Sequence, residues 1–294
     1  MSGKLKEIKL RIKAVKDTQQ ITKAMKMVSA AKLRRAQEAI TQLRPYSGKL
    51  NEILSNIVAG MEGDMSLDLA QERPTEKVLV VLVTSDRGLC GSFNSNLIKK
   101  AKSLVEVKYK DQVAAGNLTM LTVGKKGMEF FDTKFDLPMN KDHYQLFADL
   151  SFAKTSAISE LAINGFLKGE YDKVEVVYAH FKNAAVQEFT IEQFLPIVLD
   201  TASSGTSTDF LFEPNKEDLL EELVPTILKT YFHRMILDNN ASEHGARMTS
   251  MDNASENCNE LLGDLTILFN RARQAAITTE LTEIVSGAAA LEAS

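Results

Sequence analysis

The chain of 294 residues has only two cysteines, no tryptophan and few residues that make turns. Cys90 and Cys258 provide too few thiols for a disulfide scaffold or a four-thiolate metal site. Glycine and proline together make up about 7% of the chain, against roughly 12% in average proteins. Because so few residues can interrupt it, the chain is expected to contain unusually long elements.

Long apolar runs are missing as well. No stretch reaches the ~20 apolar residues of a membrane-spanning helix, and the N-terminus lacks the apolar core of a secretory signal. Residues 1–35 are basic, but they are rich in lysine rather than in arginine and serine. We therefore expect neither a membrane span nor a cleaved presequence.

The net charge of −4 conceals two oppositely charged ends. Residues 1–60 contain 13 basic and 4 acidic side chains, whereas residues 213–294 contain 6 basic and 14 acidic ones. The basic charges surround an apolar seam and an acidic segment lies in the same chain, which argues against nucleic-acid binding. We expect the two ends to associate with each other.

The N-terminal segment has the spacing of a coiled-coil helix, because apolar residues recur in alternating steps of three and four from Leu5 onward. The pattern predicts one helix over about residues 4–57, with Pro45 inside it. The middle positions of the frame are polar: Gln19, Thr22, Lys26 and Ser29. The apolar residues beside them, on a displaced face, are Ile21, Ala24, Met25, Val28 and Ala31. We therefore predict that the contact face swings round in the middle third of this helix.

A second frame of the same kind predicts a helix over about residues 215–286. Its positions are Ala241, His244, Met248, Met251, Ser255, Cys258, Leu262, Leu265, Phe269, Ala272 and Ala276. The two helices would measure about 80 Å and about 108 Å, more than the ~50 Å diameter of a compact globule of this length. We expect an antiparallel pair that projects as a rod, with the apolar end at residues 284–291 enclosed by another protein.

The middle of the chain alternates strand and helix patterns. Strands are predicted at residues 78–83, 118–123, 174–178 and 186–194, and helices at 94–107, after Gly124 and at 152–167. This order predicts a Rossmann-like α/β domain whose last strand is an antiparallel edge strand. The expected fold is α/β: an N-terminal coiled-coil helix (1–60), a central Rossmann-like α/β domain (77–198) and a C-terminal coiled-coil helix (210–294) that pairs with the first.

The loop after the first predicted strand, residues 84–94, is where α/β proteins place ligands. It contains neither the glycine spacing of a dinucleotide fold nor the Gly-Lys-Ser/Thr of a phosphate loop. Gly88 precedes Cys90 by two residues, but Ser92 stands where a nucleophile elbow has its second glycine. The simpler interpretation is a tight turn around a buried Cys90.

Metal-ligand spacing is absent among the four histidines, which are His143, His180, His233 and His244. In particular, His244 is not part of an HExxH motif. We therefore expect no metal and no cofactor.

Four segments carry a family resemblance. They are residues 21–28 (ITKAMKMV), 85–91 (SDRGLCG), 241–248 (ASEHGARM) and 272–288 (ARQAAITTELTEIVSGA). Taken in order over the whole chain, they resemble the gamma subunits of F-type ATP synthases. The resemblance implies a non-catalytic rotor shaft, present once per complex, whose turning biases the catalytic sites. The implied partners are the alpha and beta subunits, the epsilon subunit and the c ring, with only indirect membrane association and no nucleic acid.

The resemblance also implies roles for individual residues. Met25 and Lys26 would face the beta subunits, and Arg273 and Gln274 would form the upper rotor–stator contact. The foot contact with the c ring would involve Phe210, Phe212 and Glu213, where relatives often carry tyrosine at the aromatic positions. The family signature positions are Ile277, Thr278, Glu280, Glu283, Gly287 and Ala288.

The resemblance further implies a cellular location and an absence of redox control. The chloroplast relatives' cysteine-containing insertion is missing, so no thiol switch is expected. The expected location is the cytoplasmic face of a bacterial inner membrane, with an organelle membrane as the second choice.

Two other classes of protein remain open from the residues alone. One is an α/β enzyme with a Cys90 nucleophile and a coiled-coil oligomerisation arm, which would lose activity on alkylation. The other is a coiled-coil adaptor or nucleic-acid-binding rod, whose binding would depend steeply on salt.

Overall fold

The computed structural model of the chain describes residues 3–59, 68–197 and 216–292. Its helices and strands follow the order α1 (Gly3–Ala59), β1 (Val78–Val83), α2 (Phe93–Ser103), α3 (Lys110–Ala114), β2 (Leu118–Val123), α4 (Lys125–Lys134), β3 (Met139–Asn140), α5 (Phe152–Leu167), β4 (Lys173–Phe181), β5 (Gln187–Leu195) and α6 (Lys216–Glu292). A π-helical turn, Leu104–Lys108, joins α2 to α3. Residues 200–209, a stretch rich in serine and threonine, lie outside the described residues.

The strands form one five-stranded sheet in the order β3-β2-β1-β4-β5. β1 pairs in parallel with both β2 and β4, while β5 pairs antiparallel with β4 at the edge. β1 is buried along its whole length, which is why its sequence is continuously apolar rather than alternating. The predicted fold class is confirmed: a mostly parallel α/β sheet combined with long N- and C-terminal helices.

Both faces of the sheet are covered by helices. On one face, Val81 of β1 packs in a core with Ile158 of α5 and Phe232 of α6. On the other face, Leu82 of β1 packs in a core with Leu97 of α2. Side chains that alternate along β1 therefore enter two separate cores, as the pleat of a strand requires.

Contacts divide the chain into two compact units, Met1–Val28 with Met248–Ser294 and Ser29–Arg247. Within the first unit α1 and α6 run antiparallel, because residues that ascend along α1 contact residues that descend along α6. These contacts join Gln19 to Asn259, Thr22 to Ser255 and Lys26 to Asp252.

The predicted swing of the contact face on α1 is wrong. Thr22 and Ser29, the polar positions of the frame, are 8% and 3% exposed. Ile21 and Val28, which were assigned to the displaced contact face, are 60% and 58% exposed. The seam continues in its original frame because Gln19, Thr22 and Lys26 find polar partners on α6, which removes most of the cost of burying their polar groups.

Candidate functional site

The C-terminal part of α6 is a fully exposed helical segment. Side chains at the predicted seam positions are buried or half-buried as far as Ala276, but every residue from Ile277 to Ala289 is exposed. Ile284 and Val285 are 68% and 66% exposed, and Leu281 lies beside them on the same helix. The described end of α6 therefore carries an exposed cluster of apolar side chains.

The family-signature residues all lie on this segment. Ile277, Thr278, Glu280, Glu283, Gly287 and Ala288 are exposed. Thr278 donates its hydroxyl to the backbone oxygen of Gln274 (3.0 Å), so its proton is used within its own helix. The segment therefore presents mainly apolar surface with two carboxylates.

Arg273 and Gln274 lie immediately before this segment and are also exposed. Among residues 3–59, 68–197 and 216–292, no carboxylate forms an ion pair with the guanidinium of Arg273. An exposed guanidinium can donate paired hydrogen bonds to a carboxylate on another chain.

Met25 and Lys26 lie on α1, in the same unit as Arg273 but at a different level. The antiparallel contacts place Arg273 level with about residue 5, so Met25 is about 30 Å away along the helix pair. Met25 is half-buried. Lys26 is not a free cation, because it donates to the carboxylate of Asp252 at 2.5 Å.

Phe210, Phe212 and Glu213 lie outside the described residues, and their c-ring contact stays a prediction.

The loop after β1 forms a tight turn around Cys90, which is 2% exposed. Asn94 donates its amide to both Ser85 Oγ (2.7 Å) and Cys90 Sγ (3.3 Å). Leu89 and Gly91 both have positive φ, of 63° and 60°, so the backbone reverses on either side of the thiol. Burial raises the pKa of the Cys90 thiol, and the thiolate that a nucleophile requires is disfavoured.

Arg247 of α6 donates hydrogen bonds to this loop, a contact that the sequence did not predict. Its Nη2 donates to the backbone oxygens of Arg87 (3.1 Å) and Gly88 (3.3 Å). Its Nη1 donates to the buried carboxylate of Glu243 (2.6 Å) and to Nδ1 of His244 (3.2 Å). Two of the motifs, at residues 85–91 and 241–248, are therefore parts of one hydrogen-bonded structure. The one part of this structure that the sequence signals is the pairing of Glu243 with Arg247, through their i, i+4 spacing on a helix.

Three of the four histidines have side-chain hydrogen-bond partners in the described part of the chain. His180 Nδ1 contacts Asp238 (2.9 Å) and His233 Nδ1 contacts the Thr155 hydroxyl (2.8 Å). Burial, with Arg247 nearby, lowers the pKa of His244 to about 4, so its neutral ring can accept from the guanidinium. No cluster of His, Cys, Asp and Glu that could hold a metal occurs within the described ranges. None of the helices described there has an apolar stretch long enough for a membrane span.

A thiol-labelling experiment tests this description of Cys90. We expect a maleimide to label the half-buried Cys258 at least about tenfold faster than Cys90 in the native chain, because Cys90 is both buried and protonated. The rates are measured by mass spectrometry on Cys90→Ser and Cys258→Ser variants. Equal labelling of the two cysteines would contradict the prediction.

Comparisons with known proteins agree with these features. The family model described as ATP synthase matches residues 4–291. The ATP synthase gamma chain of Cytophaga hutchinsonii is 50% identical over 291 residues, covering 98% of each chain. That of Chlorobium limicola is 46% identical over 288 residues, covering 98% of this chain and 99% of the relative.

A solved structure shares the fold. A chain from the Euglena gracilis mitochondrial ATP synthase (OSCP/F1/c-ring, rotational state 3) matches with a TM-score of 0.65 and 24% identity, covering 100% of this chain and 96% of the other. The near-complete family match and the long, highly identical alignments agree with the four motifs and the exposed helix end. The chain belongs to the ATP synthase gamma chain family.

Proposed function

We propose that the exposed end of α6 is the part of this rotor subunit that sits among the alpha and beta subunits. The observation that carries the proposal is the uncovered segment from Ile277 to Ala289, which is helical and largely apolar. Its apolar side chains lose contact with water when other subunits surround them, which stabilises the complex by ~25 cal/mol per Å² of apolar surface covered.

Polar contacts at the base of this segment complement the apolar end. Arg273 and Gln274 offer exposed donors to acidic loops of the stator, and bidentate pairing would give these contacts a defined geometry. Met25 lies about 30 Å further along the helix pair and provides a second contact with the beta subunits, at a different height. The ion pair of Lys26 with Asp252 limits its contact with a beta subunit to the part of its side chain that stays exposed.

As a gamma chain, this protein is the central-stalk rotor subunit that couples rotation of the c ring to conformational change at the catalytic sites. It supplies no catalytic group. It acts as a ligand with different affinities for the open and closed states of those sites, and only that difference can shift their populations. One copy serves each complex.

We also propose the epsilon subunit and the c ring as partners, with Phe210, Phe212 and Glu213 as the c-ring contact. The complex would lie on the cytoplasmic face of a bacterial inner membrane, which this chain reaches only through its partners.

Removing the end of α6 tests the proposal. A chain that ends before Ile284, co-expressed with alpha and beta subunits, is expected to give at least about fivefold less assembled complex. The yield is measured by affinity purification of the complex through the beta subunit. Helix content of the truncated chain alone should fall only in proportion to the residues removed.

A pair of point variants separates the apolar surface from the length of the helix. Ile284→Ser with Val285→Ser is expected to lower the yield, whereas Val107→Ser with Val186→Ser removes equally exposed apolar side chains outside the segment and should not. Assembly of the truncated chain at wild-type yield would show that the segment is not a binding surface.

A further inference from the structure

The seam between α1 and α6 contains three consecutive polar contacts. Gln19 donates to Asn259, the hydroxyls of Thr22 and Ser255 are 2.7 Å apart, and Lys26 is 2.5 Å from Asp252. We call these six residues the polar layer. They occupy seam positions or border them, and the α1 frame is apolar before them, at Val15, and again from Leu33, beyond the buried Ser29.

The hydroxyls of the polar layer are buried and fully used. Thr22 and Ser255 are 8% and 5% exposed. Each hydroxyl also lies within hydrogen-bonding distance of a backbone oxygen of its own helix, that of Gln19 for Thr22 (3.0 Å) and that of Met251 for Ser255 (2.8 Å). Since each hydroxyl has one proton, one of them donates to the other across the seam, and the second donates to its own helix. A buried hydroxyl with a partner costs little, whereas one without a partner is strongly unfavourable.

Sliding one helix along the other would break this arrangement. If α6 moved by one heptad in either direction, Thr22 would face Leu262 or Met248, and Lys26 would lose Asp252. The apolar positions discriminate poorly between registers, because aliphatic residues of similar size replace one another readily in a seam. Polar residues at single seam positions fix register in coiled coils for this reason.

We propose that the polar layer is a register lock, which prevents α6 from sliding along α1 while the rotor carries load. The lock makes the two helices transmit torque as one body, and it positions Met25 on α1 relative to Arg273 on α6. The proposal that the polar layer fixes the register is based on the contacts described above. Only the effect of the lock on coupling rests on the proposed function.

Distance measurement between the helices tests the lock directly. Spin labels are placed on the exposed positions Lys9→Cys and Glu256→Cys of the full-length chain, with Cys258→Ala as background. These labels are offset along the helix axis, so a slip of one heptad moves one label by about 10 Å relative to the other along the axis. Pulsed electron paramagnetic resonance reports the distribution of distances.

The test variant is Thr22→Val, Ser255→Ala, Lys26→Met and Asp252→Met. We expect a second population of label-to-label distances in this variant. The labelled chain with an unsubstituted polar layer should show a single population. A milder variant with only Thr22→Val and Ser255→Ala preserves side-chain volume, so it folds if the first does not, and it should show the same second population at lower amplitude. A single native distance in both variants overturns the proposal.

Two controls isolate the effect of the seam. Thr18→Val with Thr266→Val removes one exposed hydroxyl from each helix, both bonded only to their own helix, and should leave one distance. Exchanging the charges, Lys26→Asp with Asp252→Lys, keeps an ion pair in the layer and should also leave one distance. A second population in either control would refute the lock.

The assembled complex gives the functional readout. In the four-substitution variant the number of ions pumped per ATP hydrolysed is expected to fall at least twofold, with hydrolysis itself less affected. Normal pumping despite two distances would overturn the coupling role. The proposed contacts with the alpha and beta subunits are tested separately by the truncated chain, in which the polar layer is intact, so the two proposals fail independently.

Discussion

A chain with alanine at position 124 is expected to be about 4 kcal/mol less stable than the wild type. Gly124 joins β2 to α4 with φ of 97°, a conformation that other residues rarely adopt. A Cβ there would lie 2.2 Å from the backbone oxygen of Thr84 and 2.8 Å from its hydroxyl oxygen. Since Thr84 follows the buried strand β1, its backbone cannot move without disturbing the sheet. Urea unfolding followed by circular dichroism measures the loss.

Gly116 provides a matched control for this substitution. It also has a positive φ, of 73°, but a Cβ there would meet no atom within 4 Å. Gly116→Ala should therefore cost only the backbone strain, about 1 kcal/mol. Similar losses in the two variants would show that the close approach to Thr84 contributes nothing.

Replacing Arg247 by methionine is expected to reduce stability by about 3 kcal/mol. The substitution leaves the Glu243 carboxylate, 5% exposed, without its cation, and it removes the donors to Arg87 and Gly88. Glu243→Gln in the same chain should restore about half of the loss, because a neutral amide is less costly to bury than an unpaired charge. Thermal unfolding of the two variants measures the difference.

The Arg247→Met variant should also acquire a pH dependence. Burial raises the pKa of Glu243, and Arg247 opposes that rise. Without Arg247 the pKa is higher still, so the folded chain holds a proton that the unfolded chain releases. The variant therefore gains stability relative to the wild type as the pH falls toward 4.5, the ordinary value for a glutamate.

An exposed pair of the same spacing is the control for both effects. Arg34 and Glu38 form an i, i+4 pair at 3.0 Å with side chains 82% and 56% exposed. Arg34→Met should change stability by less than about 0.5 kcal/mol, with no new pH dependence. A loss as large as that of Arg247→Met would show that burial of Glu243 is not the cause.

Periodicity predicted most of the elements because long elements repeat their signal. The helix expected at residues 152–167 is α5 (Phe152–Leu167), and the strand expected at 78–83 is β1. Two features gave no such signal. β3 has two residues and exists only through pairing with β2, and the π-helical turn Leu104–Lys108 departs from the helical pattern by one residue.

The exposed end of α6 was also predictable from the sequence. The heptad frame of α6 stays buried or half-buried through Ala276, and the family motif continues through Ala288 on exposed helix. The sequence pattern distinguishes the two parts because the residues of a seam are buried by a partner helix, whereas the residues of a bare helix end are not. The hydrogen bond from Arg247 to the backbone oxygen of Arg87 was not predictable, since the two residues are 160 positions apart in the chain.

The amino-acid sequence by itself determined the two heptad frames, the alternation of strands and helices between them and the apolar end of α6. Tertiary structure alone decided that Thr22 stays in the seam while Ile21 faces outward. The physical reason is that the cost of burying a hydroxyl depends on its partner, and the partner of Thr22 is Ser255, 233 residues away. The spacing of apolar residues shows which face a helix can bury. Whether a polar residue on that face is buried depends on the hydrogen-bond partner that the neighbouring helix offers.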